Sequence, residues 1–187
     1  LIDLEKGIFF GIALSLALYL YRTSRPTLDS VVPDRDPESY HYVPADNRAE
    51  CPQIKMLRLN GSIFFGAVSH LQQQVQEMLE AKPTQKHLVV MASGINFIDL
   101  AGAEFLAETA RRQARDGGSL SFYRMKDSVA ETLRKGGFMQ DIGEQNLYPA
   151  KSRPAEVLFP RLDKTICASC PHRLFRPCQT ITQGVPS

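Results

Sequence analysis

An uninterrupted apolar segment, residues 88–91, constrains the fold more than any other part of the chain. Four apolar residues without polar alternation are typical of a strand that is covered on both faces, as in a sheet flanked by helices. A loop and a short apolar return follow, and Asp99 stands where a helix is predicted to begin. Its carboxylate can accept hydrogen bonds from the open N–H groups of the first turn. Gly102 has no Cβ, so another backbone or a ligand can approach there.

The flanking segments alternate between strand and helix patterns. Before residue 88 the predicted elements are strands at 54–60 and 63–65, a turn at Gly61 and Ser62, and a helix from Gly66 to Lys82. After Asp99 they are a helix to about Arg115, a strand at 119–124, a helix opened by a capping box at Ser128 and Glu131, a short edge strand at 146–149, and a helix at 154–162. This order predicts an α/β fold with a mixed β-sheet flanked by helices.

Residues 7–21 form an uncharged, mostly apolar run. As a helix this run would span ~22 Å, against ~30 Å of bilayer hydrocarbon. Tyr19 and Tyr21 stand where interfacial aromatic residues are common, and Arg22 and Arg25 follow, which indicates that the next part of the chain is cytoplasmic. We therefore predict a membrane helix at residues 1–22, with an amphipathic or core helix of a soluble protein as the alternative.

Two further segments differ from the central one in composition. Residues 23–53 contain five prolines and many charges, which predicts an extended linker. The expected domains are a membrane helix at 1–22, the linker at 23–53, a globular domain at 54–162 and a cysteine-containing tail at 163–187. The chain starts at Leu1 without an initiator Met, so we expect a fragment of a longer protein.

No pattern in the sequence predicts an enzyme. Glycine-rich phosphate loops and the nucleophile elbow of α/β hydrolases are missing from the sequence. The histidines are scattered, and surface or boundary positions are expected for His70 and His87. Glu104 and Glu108 share a helix with several arginines, which favours a solvated, ion-paired face. The net charge of +2 gives no reason to expect a nucleic-acid partner.

The tail contains Cys167, Cys170, His172 and Cys178. Thiolate and imidazole groups bind Zn²⁺ tetrahedrally, so these four side chains are candidate zinc ligands. Their spacing is irregular, and cysteines that pack or remain free are the alternative. A structural disulfide is not expected in a cytosolic protein. No other cofactor is predicted.

The turn Asp99-Leu100-Ala101-Gly102 resembles the signature of STAS domains, in which a strand leads to Asp-Ser-(Ser/Thr)-Gly at a helix N-terminus. The Asp and the Gly match, whereas both hydroxyl residues are missing. The resemblance covers roughly residues 54–162. The segment RLNGSIFFGAVSHL resembles the version of the fold found in SulP anion transporters, and DLEKGIFFGIALSLALYLYRTSRP looks like their last membrane helix.

This resemblance implies the C-terminal portion of a SulP-type secondary transporter for a sulfate-like anion, located in the inner membrane. The cytoplasmic STAS domain would serve regulation, assembly or partner binding. Expected partners are the membrane, the rest of the transporter, a second copy in a homodimer and a cytosolic regulatory protein. The alternative is a soluble STAS regulator of the anti-anti-sigma type that binds a protein partner.

In those soluble relatives the Ser after the Asp is phosphorylated. Leu100 stands there in this chain, so no phosphorylation switch is expected at the turn. An exposed Leu100 would offer a contact to a partner, and a buried Leu100 in the first helical turn is the alternative.

Overall fold

The computed structural model describes residues 4–34 and 41–181. Some predictions reach beyond these ranges. Residues 1–3 of the predicted membrane helix, residues 35–40 of the predicted linker and residues 182–187 of the tail lie outside the described residues.

Helices and strands alternate along much of the chain. The helices are α1 (Leu4–Thr23), α2 (Phe65–Ala81), α3 (Leu100–Arg115), α4 (Asp127–Lys135), α5 (Met139–Ile142), α6 (Pro154–Leu158), α7 (Lys164–Ser169) and α8 (Arg176–Gln179). The strands are β1 (Thr27–Pro33), β2 (Tyr42–Pro44), β3 (Ile54–Ile63), β4 (His87–Ile98), β5 (Ser119–Tyr123) and β6 (Leu147–Tyr148).

The six strands form one mixed sheet in the order β2-β1-β3-β4-β5-β6. The pairs β3/β4, β4/β5 and β5/β6 are parallel, whereas β1 is antiparallel to both of its neighbours. Helices connect the parallel strands, as the topology requires. The predicted fold class, a mixed sheet flanked by helices and preceded by one apolar helix, is confirmed.

Strand β4 is covered on both faces, as its apolar run predicted. Leu88 and Val90 belong to a core shared with α2, α3 and α4, whereas Val89 and Met91 belong to a second core shared with α6 and the tail. Successive side chains of a strand point to opposite faces, so the uninterrupted run supplies both cores.

Two predicted loops lie inside strands. The turn expected at Gly61 and Ser62 belongs to β3, and the loop expected after Met91 belongs to β4, which continues to Ile98. The two strands pair along most of their length, with shifts of register between Arg58 and Ile63. Irregular pairing lets both backbones continue through residues that resemble turn formers.

The interpretation of residues 23–53 as a linker was wrong for β1. This strand joins the sheet beside β3, and Leu28 and Val31 are buried in the two cores. Its partner lies about 30 residues further along the chain, for example Leu28 opposite Leu59. The proline and charge content of the segment cannot show such a non-local pairing.

Three smaller predictions were also wrong. The helix expected to open with a capping box at Ser128 has Lys126 at its N-cap, without a side-chain hydrogen bond. The helix expected at 154–162 ends at Leu158 and continues as a 3-10 turn. His87 is buried between strands, where its Nδ1 lies 3.0 Å from Ser119 Oγ, and burial lowers the pKa of this imidazole.

Helix α1 is the one described helix that is long and apolar enough to cross a membrane. Its 20 residues span ~30 Å, which matches the bilayer better than the shorter run read from the sequence. None of its residues is buried against the rest of the chain. A soluble core helix would bury one face, so this observation disfavours that alternative.

Leu28→Ala tests whether β1 is part of the folded domain. The side chain is buried beside Leu59, and we expect the truncation to lower the free energy of unfolding by about 2–5 kcal/mol. The measurement is urea unfolding followed by circular dichroism, with the exposed Thr27→Ala of the same strand as the control. A linker would leave both variants as stable as the wild type.

Candidate functional site

The turn at the start of α3 is held by Asp99, which joins two helices. Its Oδ1 accepts a hydrogen bond from the N–H of Gly102 at 2.8 Å, and its Oδ2 accepts one from the N–H of Phe65 at 3.0 Å. Asp99 is therefore the N-cap of α3, as predicted, and also fixes the first residue of α2. Negative charge is favourable at both helix N-termini.

Gly102 is required by a close approach of two backbones. A Cβ built on it would lie 2.3 Å from the carbonyl oxygen of Ile63, well inside van der Waals contact. The N–H of Asp99 also donates to this carbonyl, at 3.1 Å. The turn is thus held tightly against the end of β3, and the approaching group at Gly102 is backbone.

The outer surface of the turn is apolar. Leu100 is 70% exposed, which decides between the two alternatives left by the sequence. Phe65 is 76% exposed and Phe97 is 55% exposed, on the adjoining ends of α2 and β4. We call Phe65, Phe97 and Leu100 the apolar patch. Single exposed apolar residues are common, but a group of large ones at one place is typical of an interaction surface.

The turn offers little for catalysis and nothing to phosphorylate. Both carboxylate oxygens of Asp99 already accept backbone hydrogen bonds, and Leu100 and Ala101 carry no hydroxyl group. Ser93, the nearest hydroxyl considered from the sequence, is exposed on β4 rather than in a loop. The exposed apolar side chains make this turn a candidate contact surface.

The patch lies at the end of the sheet where α1 joins it. Ile63 of β3 pairs with Ile98 of β4, so the carboxyl ends of both strands meet there. Strand β1 runs the opposite way and begins at that end, with Thr27 opposite Asn60. Only residues 24–26 separate β1 from α1. The sheet therefore brings the apolar helix and the patch to the same end.

The tail is docked at the other end. Gln53, just before β3, donates from Nε2 to Asp163 O at 2.9 Å and to Cys167 Sγ at 3.2 Å. Its Oε1 accepts from the N–H of Asp163 at 2.8 Å. These three hydrogen bonds fix the start of α7 on the domain.

All four cysteines of the chain gather at this end. The sequence singled out Cys167, Cys170 and Cys178 but not Cys51, which comes from the segment before β3. Burial raises the pKa of the Cys51 thiol to about 11, with smaller contributions in the same direction from the thiols of Cys178 and Cys170. Burial also raises the pKa of Cys167 and of Cys178. The sequence carried no signal that Cys51 would join the group.

The predicted zinc ligands are near one another without forming a complete site. Cys170 and His172 line a cavity of about 530 Å³ together with Cys51. Within residues 4–34 and 41–181, no three Cys, His, Asp or Glu side chains are arranged so that they could hold one metal ion. The zinc site therefore stays a prediction, and Cys51 lies beside the predicted ligands.

The carboxylate pair considered on α3 is partly ion-paired. Glu108 contacts Arg111 at 3.0 Å and Arg115 at 3.2 Å, and these arginines hold the pKa of its carboxyl below the ordinary value. The solvated, ion-paired face expected from the sequence is confirmed for Glu108.

Comparison with known proteins places the chain among STAS domains. A model of the STAS domain family matches residues 47–152. The putative sulfate transporter YvdB of Bacillus subtilis is 25% identical over 148 residues, which are 79% of this chain and 26% of that protein. Sulfate transporter 1.1 of Arabidopsis thaliana is 23% identical over 159 residues, 79% of this chain and 24% of that protein. The chain thus spans about a quarter of the length of these relatives.

A solved structure shares the fold. The murine anion transporter Slc26a9, in its inward-facing state, superposes with a TM-score of 0.70 at 22% identity. The match covers 86% of this chain and 26% of the transporter chain. The likeness therefore includes most of the described elements and only a small part of that larger protein.

Asp99→Ala is expected to lower the free energy of unfolding by about 1–2 kcal/mol, because it removes the cap of α3 and the bond to Phe65. Asp99→Asn keeps one acceptor oxygen and should lose less. Asp116→Ala, at the opposite end of the same helix, is the matched control, since a carboxylate there is unfavourable to the helix dipole. Equal stability of Asp99→Ala and wild type in thermal melts would contradict this role.

Cysteine alkylation at pH 8 tests the tail. We expect the half-buried Cys170 to react first and the buried Cys51, Cys167 and Cys178 to react much more slowly, because burial and a raised pKa both suppress their thiolates. Mass spectrometry of the labelled peptides gives the order, with urea-unfolded protein as the control. Protection of Cys170 that disappears on adding a chelator would support the zinc site instead. Equal rates in folded and unfolded protein would contradict the packing described here.

Proposed function

The chain belongs to the STAS domain family, and from this premise we propose that it is the C-terminal portion of a SulP-type secondary transporter for a sulfate-like anion. Its STAS domain would act in assembly and regulation. The observation that carries the proposal is the direct connection of an unburied, membrane-length helix to the first strand of a STAS sheet. The transporter names of the two curated relatives support the anion class.

We propose the membrane orientation from the end of α1. Arg22 and Arg25 follow the apolar residues, and the Arg25 guanidinium lies 4.5 Å from the centre of the Tyr21 ring. A basic, aromatic helix end is typical of the cytoplasmic side of a membrane. The STAS domain and the tail would then be cytoplasmic, in a protein of the inner membrane. A homodimer is proposed from the family resemblance.

We propose that the apolar patch contacts the membrane part of the transporter. The patch and the end of α1 lie at the same end of the sheet, so Phe65, Phe97 and Leu100 are on the side of the domain nearest the bilayer. Burial of large apolar side chains against a second surface is favourable. Because this turn lacks the serine of soluble relatives, the contact would be constitutive rather than switched by phosphate.

The alternative function, a soluble STAS regulator, predicts a different coding sequence upstream of Leu1. The residues encoded upstream of Leu1 distinguish the two. Many further apolar spans support the transporter, whereas a start codon close to Leu1 contradicts it. A solubility test of residues 1–187 gives the same distinction, because the exposed α1 should require detergent.

Leu100→Asp in the complete transporter tests the contact surface. We expect sulfate uptake into proteoliposomes to fall at least severalfold while the STAS domain stays folded, since Leu100 is largely exposed. Val157→Asp, an equivalent change at an exposed residue of α6, is the matched control and should leave uptake unchanged. Uptake by Leu100→Asp at the wild-type rate would overturn the proposed contact.

A further inference from the structure

A cleft of about 520 Å³ lies between the end of β1 and the tail. Its walls come from β1, the turn at residues 47–49, the start of α6 and the segment around α8. This volume is within the range of small-molecule sites and far larger than a single inorganic ion needs. The cleft is on the opposite end of the sheet from the apolar patch.

Among the described lining residues of the cleft, basic side chains outnumber acidic ones. Its ionic lining residues are Arg48, Arg153, Arg173 and Arg176 against Asp34 and Glu156. Arg153 lies 3.8 Å from Glu156, which offsets part of the charge. An excess of arginines in one concave site favours an anionic occupant, because guanidinium groups match the oxygens of phosphate and sulfate.

Arg173 is the most informative of these side chains. Its Nη1 donates to the carbonyls of Cys178 at 3.2 Å and Ile181 at 2.7 Å. Its Nη2 is buried and has no hydrogen-bond partner among the described residues. A buried charged donor without an acceptor is costly, so a ligand that accepts a hydrogen bond from this group would bind favourably. Arg173 also has a backbone φ of 43°, a conformation that residues other than glycine rarely adopt.

The rest of the lining is apolar and aromatic. Val32, Leu174 and Phe175 line the cleft, and so does Tyr42. The phenol of Tyr42 is neutral at physiological pH and can donate a hydrogen bond, and burial raises its pKa further above the ordinary value. An apolar wall beside arginines suits a molecule with a flat or apolar body and one anionic group.

The position of the cleft favours a ligand from solution over a lipid headgroup. Strand β1 starts near the end of α1, at Thr27, and reaches the cleft at Val32 and Pro33. Six strand residues span about 20 Å. The cleft is therefore at the end of β1 away from the apolar helix, which favours a ligand from solution.

We propose that this cleft binds a small organic sulfate or phosphate ester, whose oxyanion is held by Arg48 and Arg173 and whose body lies against Tyr42 and Phe175. The ligand would join β1, the turn at 47–49 and the tail, so its binding would fix the tail on the domain. The inference does not depend on the transport proposal, since it rests on the cleft of this chain alone.

Calorimetry of the full chain in detergent tests the proposal with 4-nitrophenyl sulfate and 4-nitrophenyl phosphate as probes. We expect saturable binding of at least one ester and none of the neutral 4-nitrophenyl glucoside. Arg48→Glu should weaken the ester roughly tenfold or more, because an attractive charge becomes a repulsive one at an exposed side chain of the turn. The matched control Arg115→Glu, an exposed arginine of α3 away from the cleft, should bind as the wild type does.

A second variant tests the buried guanidinium group of Arg173. Arg173→Gln should also weaken the ester, and its melting curve reports whether the tail has detached. Absence of saturable binding, or equal affinity in wild type and Arg48→Glu, would overturn the proposal. Inorganic sulfate or phosphate that binds as tightly as the esters would overturn the part that assigns an organic body to the ligand.

Discussion

The parallel pairing of β3 with β4 is the constraint on which the rest of the structure depends. It runs from Ile54 opposite His87 to Ile63 opposite Ile98. Because both strands end at the same edge, the helices that follow them start side by side, and one carboxylate, Asp99, can cap α3 and hold α2. The alternating side chains of β4 also supply both cores. The same pairing therefore fixes the position of the Asp99 turn, the two faces of the sheet and the two ends of the domain.

The two ends of the domain differ in their surface chemistry. The end joined to α1 presents apolar side chains, including Leu100. The opposite end carries the tail, with the cysteines and the arginine-lined cleft. In the proposed transporter, one end would contact the membrane part and the other would meet groups that come from solution. Because β1 is antiparallel to β3, it starts at the end joined to α1 and runs toward the opposite end.

Local patterns predicted the elements whose signals lie within a few residues. The Asp99 cap and the extent of α3 follow from spacing and turn chemistry, and both are confirmed. The strand β1 was missed because its stability comes from burial of Leu28 against a distant strand rather than from its composition. His87 was expected at a surface or boundary position because nothing near it in sequence shows that it pairs with Ile54 and Ser119 of the neighbouring strands. Non-local contacts decided each of these cases.

The sequence by itself determined the strand–turn–helix unit around Asp99, the alternation that gives an α/β sheet, and the apolar helix at the start, because short-range periodicity and capping encode all three. Tertiary structure alone decided that Leu100 is exposed, that Cys51 lies beside the cysteines of the tail and that Arg48 and Arg173 share one cleft. These residues are far apart in the chain or have no local signal of burial. Only the register of the sheet and the docking of the tail by Gln53 bring them to their places.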